Sequence, residues 1–242
     1  MWERFPGPKQ WRCSLIVAVL ESYEIVRKQC LWWAQCLPDD WEVILLDDGS
    51  QPPLDVPNVV PRHFSLVLTR DTRPWTQPLA RNLGARLARA DLLFLTDIDH
   101  MLSREAIAAV SDFRGDRMLF PREFAVLDDT GQVIREPTIL QANGWTPEQN
   151  EAQVGQGLIH ANTFAIRRDL FLDHMAGYET VRANQGLYGG DDIEFHQRYQ
   201  RLVSERSLQP DLLGPSIFVY PDPAANRDFH GLSRTPPFAP GT

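Results

Sequence analysis

Two stretches of this chain are apolar at almost every position: Ser14 to Leu20 (SLIVAVL) and Leu92 to Thr96 (LLFLT). A strand with one wet face alternates, whereas a strand apolar throughout must be covered on both faces. Between them lie Glu21 to Leu37, with Ile25, Val26, Leu31 and Trp32 near helical spacing and Pro38 as a stop, and Pro78 to Ala90, striped by Leu79, Leu83, Leu87 and Ala90. Trp41 to Leu46 and Phe64 to Thr69 read as further strands. Strands alternating with helices specify βαβ units, so the fold class is α/β, with a mostly parallel central sheet and helices on both faces.

Past residue 100 the rhythm changes. Ala106 to Val110 predicts a short helix, and Met118 to Phe120 and Phe124 to Leu127 predict strands. Asp128-Asp129-Thr130-Gly131 is a turn leading to Val133 to Arg135, which makes a hairpin and a small antiparallel sheet. Pro137 to Gly157 reads as a long polar loop holding an isolated Trp145. Thr163 to Ile166 and Ser216 to Tyr220 read as strands, Asp169 to Met175 as a helical turn or two, and Asp192 to Val203 as a helix. The tail from Pro221 carries five prolines and reads as irregular. The division expected is a nucleotide-binding half over 12–100, an acceptor half over 101–220 and an irregular tail over 221–242, all in one domain.

Acidic residues mark where the chemistry sits. Leu92 to Thr96 empties into Asp97-Ile98-Asp99-His100, and two carboxylates just past an apolar strand form a hard-oxygen cation site at the carboxyl edge of a sheet. Alternation along an extended segment would turn Asp97 and Asp99 to one side and His100 elsewhere. Asp47-Asp48-Gly49-Ser50 ends the second strand, either as a plain turn or facing the ligand crevice. Gly189-Gly190-Asp191-Asp192-Ile193-Glu194 sets a glycine pair, which lets backbone approach a ligand, before acids at a helix start. These features call for metal-assisted chemistry on a charged leaving group with a separate general base.

Composition narrows the partners. The chain has 242 residues, net charge −8, and Lys9 and Lys28 as its lysines. It has no electrostatic footprint for nucleic-acid backbone, though a modified nucleobase as a small substrate stays open. Arginine in place of lysine favours planar clamping of phosphate or carboxylate. Cys13, Cys30 and Cys36 lie near apolar residues without metal-ligand spacing, which predicts free buried thiols and a cytoplasmic setting. The apolar run of Leu15 to Leu20 is far too short for a transmembrane segment, and Met1 to Gln10 lacks a signal-peptide core.

With those residues in place, the chain resembles GT-A-fold, nucleotide-sugar-dependent glycosyltransferases. The resemblance rests on the ordered set of the opening strand, Leu45 to Ser50, Ala80-Arg81-Asn82-Leu83-Gly84, Asp97-Ile98-Asp99 and Tyr188-Gly189-Gly190-Asp191-Asp192. The first four pieces are similar to the large bacterial inverting family. The last, with Ala176-Gly177-Tyr178-Glu179 ahead of it, is similar to the acceptor segment of β-1,4-galactosyltransferases. Ala18 to Tyr23 stands where a proline-threonine turn is usual, and the late Gln-x-x-Arg-Trp is absent.

The resemblance implies a nucleotide-sugar donor, UDP by analogy, held by Ala18, Leu20, Asp47, Asp48, Arg81, Asp97, Ile98 and Arg234. It implies Mn²⁺ or Mg²⁺ on Asp97, Asp99 and His230, with Asp192 as general base and Asp191 beside it. Trp145, His160, Gly189, Gly190 and Glu194 would meet the acceptor, which could be a saccharide, small molecule, protein or modified nucleobase. Plainer readings stand beside these: Arg81 as a solvated charge, Trp145 as a loop anchor, His160 as packing, and Asp191 and Glu194 as helix-start charges. The rival activities are a haloacid-dehalogenase-type magnesium phosphatase, which wants a downstream lysine, and a sugar-nucleotide pyrophosphorylase, which wants a glycine-rich phosphate loop. A catalytically silent carbohydrate-binding module is the non-enzymatic reading.

Overall fold

The computed structural model describes residues 11–73, 76–146, 159–185 and 190–221, with the side chains of His160 and Arg182 set aside. Strands β1 (Cys13–Val19), β2 (Trp41–Asp47), β3 (Phe64–Leu68) and β4 (Leu92–Thr96) lie parallel in the order β3-β2-β1-β4. Helices α1 (Tyr23–Cys36) and α2 (Gln77–Leu87) make the crossovers. The same sheet continues through strands β5 (His100–Met101), β6 (Arg117–Phe124), β9 (Ile159–Arg167) and β11 (Ile217–Val219), in the order β4-β9-β6-β11-β5. β9 is antiparallel to both β4 and β6, and the short strand β10 (Leu212–Leu213) pairs with β6. A separate two-stranded ribbon joins β7 (Val126–Leu127) and β8 (Val133–Ile134).

The apolar runs divide between two cores as strand alternation requires. Leu15, Val17, Val43, Leu45 and Phe94 pack with Ile25, Val26 and Trp33 of α1 and with Ala106, Ile107 and Val110 of helix α3 (Arg104–Asp112). Ile16, Ile44, Leu93 and Leu95 turn to the opposite face, against Ala80 and Ala85 of α2 and an aromatic group of Phe164, Phe171, Tyr178, Phe195 and Tyr199. Gly84 brings α2 very close: a Cβ there would stand 2.6 Å from Ile16 Cγ2 and 2.9 Å from Leu46 Cδ1.

The expected antiparallel acceptor-side sheet is thus mostly part of the main sheet, with the β7–β8 hairpin standing apart. The loop expected from Pro137 begins as helix α4 (Pro137–Ala142), which has proline in its first turn, where a missing N–H costs nothing. The turn at 169–175 holds a π-type segment, Leu170–His174, and two further helices follow, α5 (Val181–Asn184) and α6 (Asp191–Ser204). Among the described residues no helix is long and apolar enough to cross a membrane. Cys13, Cys30 and Cys36 are free, and burial pushes the thiols of Cys30 and Cys36 up to about 12.

The β6–β9 ladder slips at Pro121. Leu119 faces Phe164 and Pro121 faces Ile159, so β9 spends five steps where β6 spends two. Proline has no N–H for the ladder and is placed at such irregularities. The surplus on β9 falls over His160 to Thr163, so Asn162 and Thr163 project from an interruption in the pairing.

Candidate active site

The carboxyl ends of β1, β2 and β4 lie side by side; β2 ends in Asp47 and Asp97 follows β4 directly. Asp97, Ile98 and Asp99 form a tight turn, with the His100 N–H donating to the Asp97 carbonyl at 3.2 Å. This corrects the extended segment expected there. Strand alternation does not apply in a turn, and His100 therefore does not point away. One ligand atom each from Asp97, Asp99 and His100 lies within 4.8 Å of the others. Gln29, buried on α1, fixes the turn from below by donating to the carbonyls of Ile98 (2.8 Å) and His100 (2.9 Å). Ile98 itself is buried in the larger core.

His100 is 2% exposed, and Thr163 Oγ1 lies 2.5 Å from its Nδ1. Burial pulls its imidazole down to about 4, against some help from Asp97, so the ring is neutral at pH 7 and able to ligate a cation. Thr163 also lies 3.1 Å from Thr96 Oγ1, joining β9 to β4 through side chains.

Arg81 is 0% exposed, which removes the reading of it as a solvated surface charge. Its guanidinium pairs with Asp97 and donates to Asn162 Oδ1 at 2.9 Å and to Tyr178 Oη at 3.4 Å. Gln77 adds a donor to Asp97 at 3.0 Å. The next residue, Asn82, clasps the Tyr178 backbone: its Nδ2 donates to the carbonyl at 2.9 Å and its Oδ1 accepts from the N–H at 2.8 Å. Gly177, at φ 70°, fits beside Asn82 where a Cβ would collide with the amide.

The two acids after β2 have different surroundings. Asp47 Oδ1 accepts from the Ser50 N–H and Oδ2 from the Leu54 N–H, both at 2.9 Å, so both oxygens hold its own loop. Asp48 is tied by its N–H to the Val19 carbonyl (2.8 Å) and accepts from Thr76 Oγ1 (2.6 Å) at the start of α2. Ala18 packs in the smaller core, and Leu20 is half-buried just past β1. A cavity of about 160 Å³ opens at the Asp47 loop, lined by Asp47, Gly49, Ser50, Leu68, Arg70 and Thr72 among others.

Helix α6 brings the second acidic group to the same place. Gly190 sits at φ 88°, a conformation glycine adopts without strain, and nothing among the described residues lies within 4 Å of where its Cβ would be. Asp191 is buried and close enough to Arg81 and Tyr178 to act on both electrostatically. Asp192 is half-buried, also within electrostatic range of Tyr178, and accepts from the Ile193 N–H at 2.8 Å. Glu194 pairs with Arg198 one turn on, at 2.8 Å. Trp145 packs against the larger core, and its backbone N–H donates to the Leu140 carbonyl at 2.9 Å, just past α4. His160 lies in the irregular stretch of β9. Gly189, His230 and Arg234 lie outside the described residues.

Sequence reasoning passed over Asn162, Thr163, Gln77 and Arg122. The first two belong to the interruption opposite Pro121, and a proline between two predicted strands was the available signal. Gln77, one turn before Arg81 on the same helix, was inferable from helical spacing.

No family model matches the sequence, and no curated protein matches it. Solved structures match the fold. S. aureus TarS 1–349 aligns with a TM-score of 0.51 and 13% identity over 86% of this chain and 60% of that one. The mannosyltransferase PcManGT from Pyrobaculum calidifontis, in complex with GDP-Man and Mn²⁺, aligns with a TM-score of 0.50 and 16% identity over 91% and 60%. S. aureus TarS itself gives 0.54 and 12% over 92% of this chain and 41% of that one. The likeness is one of fold, a Rossmann-like α/β arrangement with a large central sheet, and the chain spans 60% or less of the length of these neighbours.

Proposed function

We propose that the chain is a metal-dependent glycosyltransferase that moves a sugar from a nucleoside-diphosphate sugar to an acceptor hydroxyl with inversion. The observation that carries this reading is the Asp97–Asp99–His100 group, set at the carboxyl edge of the sheet beside the acidic start of α6. Two carboxylates and a neutral imidazole are a donor set suited to Mn²⁺ or Mg²⁺, with nitrogen favouring Mn²⁺. Asp99 and His100 would hold the cation together with the Asp97 oxygens, and His230 is kept as a further candidate ligand. When bound, the cation would neutralise charge on the departing diphosphate.

The chain's own residues supply the rest. Arg81 serves the donor through Asp97, whose carboxylate it orients. Asp48 and the cavity lined by Asp47, Gly49 and Ser50 provide the base and ribose region, with UDP as the donor nucleotide by analogy. Asp47 keeps that loop in shape. Asp192, more accessible than Asp191 and next to the open space at Gly190, takes the proton of the acceptor hydroxyl. The resulting oxygen attacks the anomeric carbon while the bond from that carbon to the phosphate oxygen breaks, with its electron pair leaving on the diphosphate. Asp191 positions the acceptor from within the Arg81–Tyr178 group.

A panel of nucleotide-sugars with and without Mn²⁺, read by thermal shift, tests donor and metal together, because a ligand specific to the native state raises its stability. A shift for a UDP-sugar that requires Mn²⁺ is expected, and a flat panel would overturn the proposal. Asp192→Asn should bind donor as the wild type does and lose transfer by on the order of 10²-fold or more. Near-normal turnover in that variant together with a dead Asp191→Asn would move the base one residue back.

A further inference from the structure

Arg122 is a cation of this site that belongs to none of the sequence motifs. It follows Pro121 on β6, where the ladder to β9 breaks, and its partner on the other side is Ile217 of β11. β11 pairs in turn with β5, the two residues after Asp99, and the Tyr220 N–H donates to the Asp99 carbonyl at 3.1 Å. The strand order thus sets β6 one strand across from β5, with Arg122 three residues along the ladder from the level of Asp99. The side chain is half-buried, and its Nε is sealed from solvent without a hydrogen-bond partner among the described residues. Burial disfavours its charged form, and Asp99 and then Asp97 offset part of that. The adjacent Glu123 is directed to Arg135 instead, as strand alternation requires.

A buried arginine donor without an acceptor is costly, and the cost disappears when an anion arrives to meet it. Arg81 also has a buried Nε without a partner among the described residues, but its terminal nitrogens are already engaged with Asp97, Asn162 and Tyr178. We propose that Arg122 reads the second phosphate: its guanidinium donates to the outer phosphate of the bound nucleoside diphosphate on the Asp99 side of the site, so that diphosphates are held in preference to monophosphates. The planar fork of guanidinium donors matches phosphate oxygens in a way an ammonium does not. Once Asp99 shares its charge with a cation it compensates Arg122 less, which leaves the guanidinium to the ligand. This inference rests on the proposed nucleotide-sugar site.

The test is calorimetry on the full chain in Mn²⁺, titrating the nucleoside diphosphate that the wild type binds (UDP or GDP) and then the matching monophosphate. Arg122→Gln should weaken the diphosphate at least tenfold and leave the monophosphate within twofold. Arg122→Lys, which keeps the charge and loses the fork, should recover only part of the diphosphate affinity. Equal loss for both nucleotides, no loss for either, or full recovery by lysine would each make Arg122 a structural counter-charge and overturn the inference. A wild type that binds no nucleotide would instead sink the proposed function. If Arg122→Gln does not fold by thermal melt, the lysine variant carries the comparison alone.

Discussion

The sheet is joined in two different ways on either side of β4. From β3 to β4 the strands are parallel, their register is unbroken, and the side chains of β1, β2 and β4 enter two apolar layers. At the border from β4 to β9, polar side chains add to the backbone ladder and the apolar packing: Thr96 to Thr163, His100 to Thr163, and, from α2, Arg81 to Asn162 and Asn82 to the Tyr178 backbone. The apolar side is generic scaffold, tolerant of exchange among residues of similar volume. The polar seam is specific, since each donor there has a particular partner, and it is where the candidate site lies.

Removing the most deeply placed charge of the seam is the severest test of that contrast. Arg81→Ala leaves Asp97 without its buried partner and should lower unfolding free energy by about 3–5 kcal/mol in urea denaturation. A loss below about 1 kcal/mol would show that the apolar layers alone hold the two sides together. Acid should probe the same border. His100 titrates at about 4 in the fold against an ordinary 6.5, so the unfolded chain takes the proton first as pH falls. Its contribution is fully present above about pH 6.5 and disappears by about pH 4, a loss of roughly 3 kcal/mol. Urea midpoints between pH 7.5 and 4 should follow that curve, His100→Gln should flatten it, and amide exchange should quicken in β5 and β9 before β1 and β2.

Asn82→Ala should cost about 2 kcal/mol, the net value of two buried hydrogen bonds to the Tyr178 backbone. A loss in transfer rate larger than the loss in stability would show that the clasp also sets the acceptor side. Gly190→Ala should have the smallest effect, about 1 kcal/mol, from forcing a Cβ into the left-handed region where nothing among the described residues crowds it. A much larger effect would mean that the start of α6 is as finely constrained as the seam.

The same contrast governs what could be read from the chain. The parallel side was legible nearly to the residue, because burial on both faces writes continuous apolar runs and helix stops such as Pro38 end them. Leu92 to Thr96 matches β4, and Ser14 to Leu20 is offset by one from β1. The acceptor side was legible as elements and not as pairings. β5 and β10 are two residues each, made strands only by their neighbours. Asp97 and Asp99 were visible as candidate ligands, whereas His100 was assigned away from them by a strand rule that the turn sets aside. Arg122 left no local signal, since its meaning depends on β11 lying between it and Asp99.

Gly84 carries a consequence for how such a site can drift or be retuned. Glycine inside a helix costs about 1 kcal/mol relative to alanine, yet α2 has one three residues after Arg81, pressed against Ile16 and Leu46. Any bulk at that position would lift the helix from β1 and carry the guanidinium with it, so the aim of Asp97 is calibrated by a residue that never meets the ligand. Gly84 works as a shim under the site. Variants there should alter donor affinity in proportion to added volume, a graded handle that no substitution among the charged residues themselves would offer.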